Sequence, residues 1–231
     1  MIYHKNINIP VTVRTIYPRG ILAETINKYQ RIFANLYNDN PNIEFSKNPA
    51  QQSRYIEIAK APRLLEFPIH SNLIGNEIKD WLKSLGLCLI NGVIHNRPPN
   101  TQTGLHIDYD GKIGNRDVAK INFVFSSYGA KMEWFKLKED TNLGNGDGVS
   151  TQFSIDDVTS EYECIADSHC ILNGAEIHKI EVGNNRGIDR VCYSFWLGRI
   201  PESPDTSFDP YDATPIDWDT CLEIFKPYFK D

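Results

Sequence analysis

The segment His106-Ile107-Asp108 brings an imidazole and a carboxylate within two residues of each other. In a β-strand, residues two apart project from the same face, so these two side chains can point to one side while Ile107 packs on the other. That geometry suits two ligands of one metal ion. A pair of this kind also arises by chance, and a surface pair at the end of a strand is the alternative interpretation.

A third ligand is available from one of two later histidines. His178 is the better candidate, because its face of the predicted strand continues with Ile180 and Val182 and therefore points into an apolar interior. A hydrogen-bonded core histidine would show the same pattern. His169, which lies just before the turn Asn173-Gly174, is the weaker candidate.

Two histidines and one carboxylate form the facial triad of non-haem iron(II) sites, with three coordination positions left open. The same ligands could hold a catalytic zinc ion. Arg190, twelve residues beyond His178, favours the iron site. If it faces the interior, so do Cys192 and Ser194, and the guanidinium and hydroxyl together suit capture of a carboxylate. Hydrolysis at zinc needs no such group, although an arginine that opens a strand is commonly a surface residue.

Three segments have the apolar spacing of amphipathic helices. They are Gly20 to Asn38, Leu73 to Leu85 and Asp217 to Phe225. The first carries a stripe that is predicted to face the core. Asn72 is predicted to cap the start of the second helix, and Gly86 to end it.

Short apolar or alternating segments separated by turn residues predict seven strands between the second and third helices. They are Leu87 to Asn96, Gly104 to Tyr109, Val118 to Ser126, Lys131 to Leu137, Glu161 to Leu172, Ile177 to Val182 and Arg190 to Leu197. This pattern predicts a mainly β fold, an antiparallel sandwich or jelly roll with helices buttressing one face. The segment Gly144 to Gly148 is predicted to be a flexible hairpin that could cover the site.

The length of 231 residues fits one domain with its own core. No internal repeat and no long linker divides the sequence. Residues 1–86 are therefore predicted to form a helical N-terminal flank, 87–197 the β core, and 198–231 an arm that carries the last helix.

The composition favours a soluble protein of a reducing compartment. Hydrophobic residues make up 41% and charged residues 23%, and the formal net charge of -6 disfavours nucleic-acid binding, which depends on neutralising phosphates. The five cysteines include no Cys-x-x-Cys pair, which argues against a disulfide framework and against a zinc ribbon. No apolar run reaches the length of a signal peptide or a membrane span, so we expect a cytoplasmic protein without membrane contact.

The order His106-x-Asp108, His178, Arg190 across a strand-rich region resembles the iron(II)- and 2-oxoglutarate-dependent oxygenases. The resemblance covers roughly Leu87 to Leu197. It implies their double-stranded β-helix, a cupin-like jelly roll, here buttressed by N-terminal helices. The run from His106 through Arg116 to Ile121-Asn122-Phe123 is similar to the small stand-alone oxygenases of bacteria and their viruses, with a likeness to prolyl and aspartyl/asparaginyl hydroxylases.

The resemblance implies a role for each matching residue. His106, Asp108 and His178 would hold iron(II), and Arg190 would pair with the distal carboxylate of the cosubstrate 2-oxoglutarate. Asn122 could bind the head of 2-oxoglutarate, although a buried asparagine satisfied by the backbone is the more common case.

One position departs from the family's pattern. The family often places a serine two residues after the arginine, whereas this chain has Cys192 there and Ser194 two residues further on. Ser194 could therefore assist Arg190 in binding the carboxylate. The related halogenases carry a small residue at the place of Asp108, so the aspartate favours hydroxylation.

The implied activity is a dioxygenase that uses dioxygen to convert 2-oxoglutarate to succinate and carbon dioxide while it hydroxylates an amino acid, a peptide side chain or another small metabolite. Two alternatives remain at this stage. One is a cupin-like metal-binding or structural barrel without oxygenase activity. The other is a zinc hydrolase built on the same three ligands.

Overall fold

The computed structural model describes residues 2–14, 19–47, 52, 55–56, 59–60, 65–108, 119–139, 153–183, 187–201, 208–210 and 213–230. The predicted hairpin at Gly144 to Gly148, as well as Tyr109, Arg116 and Val118, lie outside these residues. Among the helices that are described, none combines the length and the apolar character needed to cross a membrane. All five cysteines are free thiols.

The fold is mainly β, with helices α1 (Arg19–Asp39), α2 (Asn76–Ser84) and α3 (Trp218–Phe225). The strands are β1 (His4–Asn6), β2 (Leu65–His70), β3 (Leu87–Arg97), β4 (Thr101–Gln102), β5 (Ala119–Ser126), β6 (Lys131–Leu137), β7 (Val158–Ile165), β8 (Cys170–Asn173), β9 (His178–Val182), β10 (Arg190–Arg199) and β11 (Thr214–Pro215). They form two antiparallel sheets. The larger has the order β1-β8-β5-β10-β3-β2 with β11 beside β10, and the smaller has the order β4-β9-β6-β7.

The two sheets face each other across an inner layer of buried side chains. Apolar residues from both sheets fill part of this layer, namely Met132, Trp134, Leu172, Ile180 and Val182. Helices α2 and α3 cover the opposite face of the larger sheet. The outer layer between helices and sheet contains Ile78, Trp81, Leu82, Trp218, Cys221 and Phe225 on the helices and Ile121, Phe123, Phe195 and Leu197 on the strands. Helices therefore cover one face of the β fold as predicted, and the C-terminal helix α3 contributes to this layer together with α2.

Strand β5 lies in the middle of the larger sheet and is buried on both faces. Ala119, Ile121 and Phe123 pack in the outer layer. Successive residues of a strand alternate between faces, so Lys120 and Asn122 point into the space between the sheets. Each of these two polar residues is at most 5% exposed.

Helix α1 matches its predicted bounds within one residue at each end. Its predicted core-facing stripe is wrong for the C-terminal half, where Leu36 is 42% exposed. Phe33 contacts Phe45 and Tyr55 in a small aromatic group instead. An apolar period shows which face of a helix avoids water, but it does not identify the element that covers that face.

The second predicted helix starts later than expected, because Ser71–Leu73 forms a 3₁₀ turn ahead of it. Its N-cap residue is Gly75, and no side chain caps it, so the prediction for Asn72 is wrong. Gly86 ends the helix as predicted, with a φ of 73° that favours glycine. The third helix begins one residue after the predicted start, because Asp217 is its N-cap.

Two predicted strands differ from the structure. Within the described part of Gly104 to Tyr109, only single antiparallel bridges form, at Leu105 and His106. Glu161 to Leu172 is divided between β7 and β8, which lie in different sheets. Asp167 lies between β7 and β8. Its carboxylate accepts hydrogen bonds from backbone N–H groups in the turn between β5 and β6.

The N-terminal flank is not purely helical, because β1 and β2 both belong to the larger sheet. The three residues of β1 show no apolar alternation that would predict a strand. Strand β2 contains Pro68, which lacks a backbone donor and is tolerated mainly at the edge of a sheet. Strand β2 occupies that edge, next to β3.

Gly92 in β3 allows the closest packing in the larger sheet. A Cβ atom at this position would lie 2.4 Å from Cδ1 of Phe195 on the neighbouring strand. We expect Gly92→Ala to lower the free energy of unfolding by about 1–3 kcal/mol, because the ring must leave its place in the outer layer. Urea denaturation tests this, with Gly104→Ala as the control, since a Cβ there meets no atom within 4 Å. Equal stability of the two variants would contradict the prediction.

Candidate metal centre

Backbone pairing brings the three predicted ligands together. His106 and His178 form an antiparallel bridge in which each N–H donates to the other residue's carbonyl oxygen, at 3.0 and 2.9 Å. The N–H of Asp108 donates to the carbonyl oxygen of Gly174 at 2.8 Å. The segment with two ligands is thereby held beside the start of β9, which carries the third.

The ligand atoms of His106, Asp108 and His178 all lie within 4.8 Å of one another. Nε2 of His106 is 3.7 Å from Oδ1 of Asp108, and Nε2 of His178 is 3.4 Å from Oδ2. Ligands about 2.1 Å from one metal ion and at right angles to each other are separated by about 3 Å, so small side-chain adjustments would complete such a site.

Both imidazoles are held in the tautomer that a metal ligand requires. Nδ1 of His106 lies 2.8 Å from the carbonyl oxygen of Gly104, and Nδ1 of His178 lies 2.8 Å from that of Glu176. A carbonyl oxygen can only accept, so each Nδ1 carries a hydrogen, and Nε2, on the side of Asp108, is the ring nitrogen available to bind a metal. This second contact of each ring orients it as the outer partners of metal-bound histidines do.

The centre is open on one side. His178 is 2% exposed and packs near the buried ring of Trp134, with 6.1 Å between ring centroids. The side chains of His106 and Asp108 are 23% and 16% exposed. The centre is therefore accessible from the side of His106 and Asp108.

Three basic side chains surround the carboxylate of Asp108. Burial acts to raise the pKa of its carboxyl group, but Lys120, His178 and His106 together outweigh burial and hold the pKa well below its usual range. Lys120 contributes most to this lowering. Its Nζ lies 3.0 Å from Oδ2 of Asp108.

Lys120 belongs to the site, and the sequence interpretation overlooked it. The signal was present, because a lysine alternates with Ala119, Ile121 and Phe123 in a strand predicted to be buried. A charged side chain at an inward position of such a strand needs a partner of opposite charge.

Arg190 is buried, with 1% exposure, and its side chain faces the space between the sheets. No carboxylate or carbonyl oxygen of the described residues accepts a hydrogen bond from its three guanidinium nitrogens, and its polar neighbour is the thiol of Cys192. Arg97 lies directly opposite on β3 and is also buried, but its guanidinium contacts the carboxylate of Glu66. That carboxylate also lies 3.2 Å from Nδ1 of His95. Of the two neighbouring arginines, Arg190 is the one that can receive an external anion.

Cys192, Ser194 and Asn122 line the inner face of the larger sheet beyond Arg190. Ser194 on β10 lies directly opposite Asn122 on β5, and all three side chains are buried. Oδ1 of Asn122 has no hydrogen-bond partner among the described residues. Burial raises the pKa of the Cys192 thiol, while Arg190 and Lys120 act to lower it. The thiol therefore lies within the electrostatic influence of both basic groups.

The structure brings His178 and not His169 to the pair of ligands. Nδ1 of His169 accepts a hydrogen bond from the backbone N–H of Val124 at 3.0 Å. Its ring also packs edge-on against Phe123 and Phe125. These contacts indicate that His169 packs against the larger sheet and is not a metal ligand of this cluster.

Comparison with known proteins gives remote structural similarity only. No protein-family model and no curated protein sequence matches the chain. HygX from Streptomyces hygroscopicus, solved with nickel and 2-oxoglutarate, is 12% identical, with 89% of this chain and 90% of HygX covered and a TM-score of 0.38. The α-ketoglutarate-dependent carbocyclase SnoK from nogalamycin biosynthesis is 10% identical over 91% and 88%, with a TM-score of 0.40. A Pseudomonas putida prolyl-4-hydroxylase is 11% identical over 82% and 92%, with a TM-score of 0.35.

Proposed function

We propose that the protein is a non-haem iron(II)- and 2-oxoglutarate-dependent dioxygenase that hydroxylates an amino acid, a peptide side chain or another small metabolite. The observation that carries this proposal is the buried guanidinium of Arg190, which has no carboxylate partner among the described residues and lies on the same inner face of the larger sheet as Lys120. A metal-binding barrel or a zinc hydrolase would have no use for this group.

A buried charge without a partner is costly, because transfer of an ion from water into a protein interior loses several kcal/mol of hydration. Arg190 therefore favours binding of an anion that enters the space between the sheets. A planar guanidinium matches a carboxylate with two parallel hydrogen bonds. A dicarboxylate that binds the metal at one end and Arg190 at the other would satisfy both halves of the site, and 2-oxoglutarate has that form.

The residues of this chain would divide the work of such an enzyme. His106, Asp108 and His178 would hold the metal through two imidazole nitrogens and one carboxylate oxygen. Iron(II) in such a site supplies the activation of dioxygen. Arg190 would orient the cosubstrate, with Ser194 and Asn122 as neighbours on the same wall. Trp134 and the apolar inner layer would keep water from the closed side of the centre.

The finer features of the fold belong to the same proposal. Two facing antiparallel sheets with the triad at one end support a double-stranded β-helix. We propose a single oxygenase domain over 1–231, with 1–86 and 198–231 as flanks of a core at 87–197. A small-molecule or peptide substrate, the cytoplasm as the compartment, and the absence of nucleic-acid and membrane partners also stay predictions.

Anaerobic spectroscopy tests the proposal. We expect addition of iron(II) and 2-oxoglutarate to the metal-free protein to give a weak visible charge-transfer band, because the cosubstrate would bind the metal directly. Exposure to air should then produce succinate. A metal-binding barrel would give neither signal, and a zinc hydrolase would retain its activity without dioxygen. Absence of both band and succinate would refute the oxygenase assignment.

The substrate can be sought in the same preparation. Mass spectrometry of metabolite and peptide extracts before and after incubation should show the gain of one oxygen atom coupled to succinate formation. Iron(II) and 2-oxoglutarate without the protein serve as the control. A gain of oxygen that does not require 2-oxoglutarate would contradict the proposed chemistry.

A further inference from the structure

Lys120 is a buried ammonium group in direct contact with a proposed metal ligand. Its side chain is 6% exposed, and its Nζ lies 3.0 Å from Oδ2 of Asp108. The family resemblance assigns no role to this position. Its neighbours on β5 are buried apolar residues, so the burial of its charge has to be explained by what it contacts.

We propose that Lys120 is a positioning residue that balances the Asp108 carboxylate in the metal-free protein and lowers the affinity of the triad for metal. It balances the charge of the Asp108 carboxylate and fixes one of its oxygens. This proposal rests on the proposed function only to the extent that the triad binds a divalent metal.

The contacts of Asp108 assign different roles to its two oxygens. Oδ2 lies between Nζ of Lys120, at 3.0 Å, and Nε2 of His178, at 3.4 Å. Oδ1 faces Nε2 of His106 at 3.7 Å. Because Lys120 engages Oδ2, Oδ1 is the oxygen left to bind a metal, and the carboxylate is set to bind through one atom.

Gly174 makes the contact between the lysine and the aspartate possible. A Cβ atom at this position would lie 3.0 Å from Cδ of Lys120 and 3.1 Å from Cβ of Asp108. The backbone of Gly174 also accepts the hydrogen bond from the N–H of Asp108. A side chain at position 174 would therefore crowd both charged side chains close to where they meet.

Charge determines the direction of the effect on metal binding. Lys120 and a divalent metal would both be attached to the same carboxylate, about 5 Å apart, and would repel each other. Even with the dielectric constant of bulk water, this repulsion corresponds to about a tenfold change in affinity. A hydrogen bond from an ammonium group also draws electron density from the carboxylate and makes it a poorer ligand.

The test compares metal-free wild-type protein with Lys120→Met, which keeps the length of the side chain and removes its charge. We expect the melting temperature of the metal-free variant to fall, because Asp108 loses its counter-ion. We expect cobalt(II), titrated by its visible absorption, to bind the variant about tenfold more tightly. Lys120→Gln, which can still donate to Oδ2, should bind cobalt(II) more tightly as well if charge is the cause.

Lys131→Met is the matched control. This lysine is 49% exposed and pairs with Glu163 on the neighbouring strand at 2.8 Å, so its loss should change neither quantity. Equal or weaker cobalt(II) binding by the Lys120 variants would overturn the role of Lys120 and leave the oxygenase proposal intact. Absence of cobalt(II) binding by the wild type would overturn the metal centre itself. If Lys120→Met does not fold, Lys120→Gln gives the same comparison.

Discussion

Replacement of Arg190 by methionine is expected to stabilise the ligand-free protein and to remove the proposed binding site for 2-oxoglutarate. The guanidinium is 1% exposed and has no carboxylate partner among the described residues, so the free protein bears the cost of burying its charge. An apolar side chain of similar length removes that cost, with a gain of about 1–4 kcal/mol. For a chain of this size the gain corresponds to a rise of several degrees in melting temperature.

The same substitution removes the proposed partner of the distal carboxylate. Loss of one partner of a buried charged pair costs about 2–5 kcal/mol, so the Kd for 2-oxoglutarate should rise by at least about 30-fold. Calorimetry on the manganese(II)-loaded protein measures this Kd without turnover. Addition of 2-oxoglutarate should also raise the melting temperature of the wild type and leave that of Arg190→Met unchanged.

Arg97→Met is the control for the expected gain in stability and loss of 2-oxoglutarate binding in Arg190→Met. Arg97 lies directly across from Arg190 and is similarly buried, but its guanidinium contacts Glu66. Its loss leaves a buried carboxylate without its strongest partner, so this variant should be less stable than the wild type. If Arg190→Met is destabilised as well, or if it binds 2-oxoglutarate normally, Arg190 is not the anion site.

Replacement of Asp108 by alanine should abolish succinate formation. The carboxylate is the only oxygen ligand among the three clustered side chains, and two neutral imidazoles alone do not form a facial triad. The variant should also bind cobalt(II) far more weakly than the wild type. An assay of succinate formation checks the first expectation, and a cobalt(II) titration checks the second.

Asp108→Ala leaves Lys120 without its carboxylate partner, so stability must be measured alongside activity. The double variant Asp108→Ala/Lys120→Met removes both charges and should recover part of any lost melting temperature while it stays inactive. Asp156→Ala, at an exposed position far along the chain, should behave as the wild type does. Succinate formation by the folded Asp108 variant at the wild-type rate would refute the metal centre.

Local patterns were sufficient to predict most of the elements around the site. The inward direction of His178 followed from the alternation of apolar residues in β9, and the outer helices followed from their stripes. The pairing of His106 with His178 at the start of β9 could not be predicted, because it is a single bridge between distant stretches and the adjacent Leu105 bridges to Phe153 instead. The same limit applies to β1, whose three residues become a strand only because β8 presents an open edge to them.

The pairing of Lys120 with Asp108 shows why part of the site could not be predicted from the sequence. Spacing along one strand shows which side chains share a face, but a contact across the interior depends on how two sheets are placed. The sequence also could not show that Arg190 is buried without a carboxylate partner among the described residues, because a buried arginine and a surface arginine can begin a strand with the same sequence. The structure shows that Arg97 pairs with Glu66, whereas no carboxylate of the described residues pairs with Arg190.

The register of β10 between β3 and β5 has a consequence for how the protein folds. Arg190 pairs with Arg97, so a central contact of the larger sheet joins residues more than ninety positions apart. Closing so long a loop is entropically costly, and sheets of high contact order fold slowly. During synthesis, β3 must wait for β10 to leave the ribosome while the edges of both β3 and β5 stay exposed. The proposed anion site would therefore be assembled late, and chaperone demand should be greatest in the interval before Arg190 emerges.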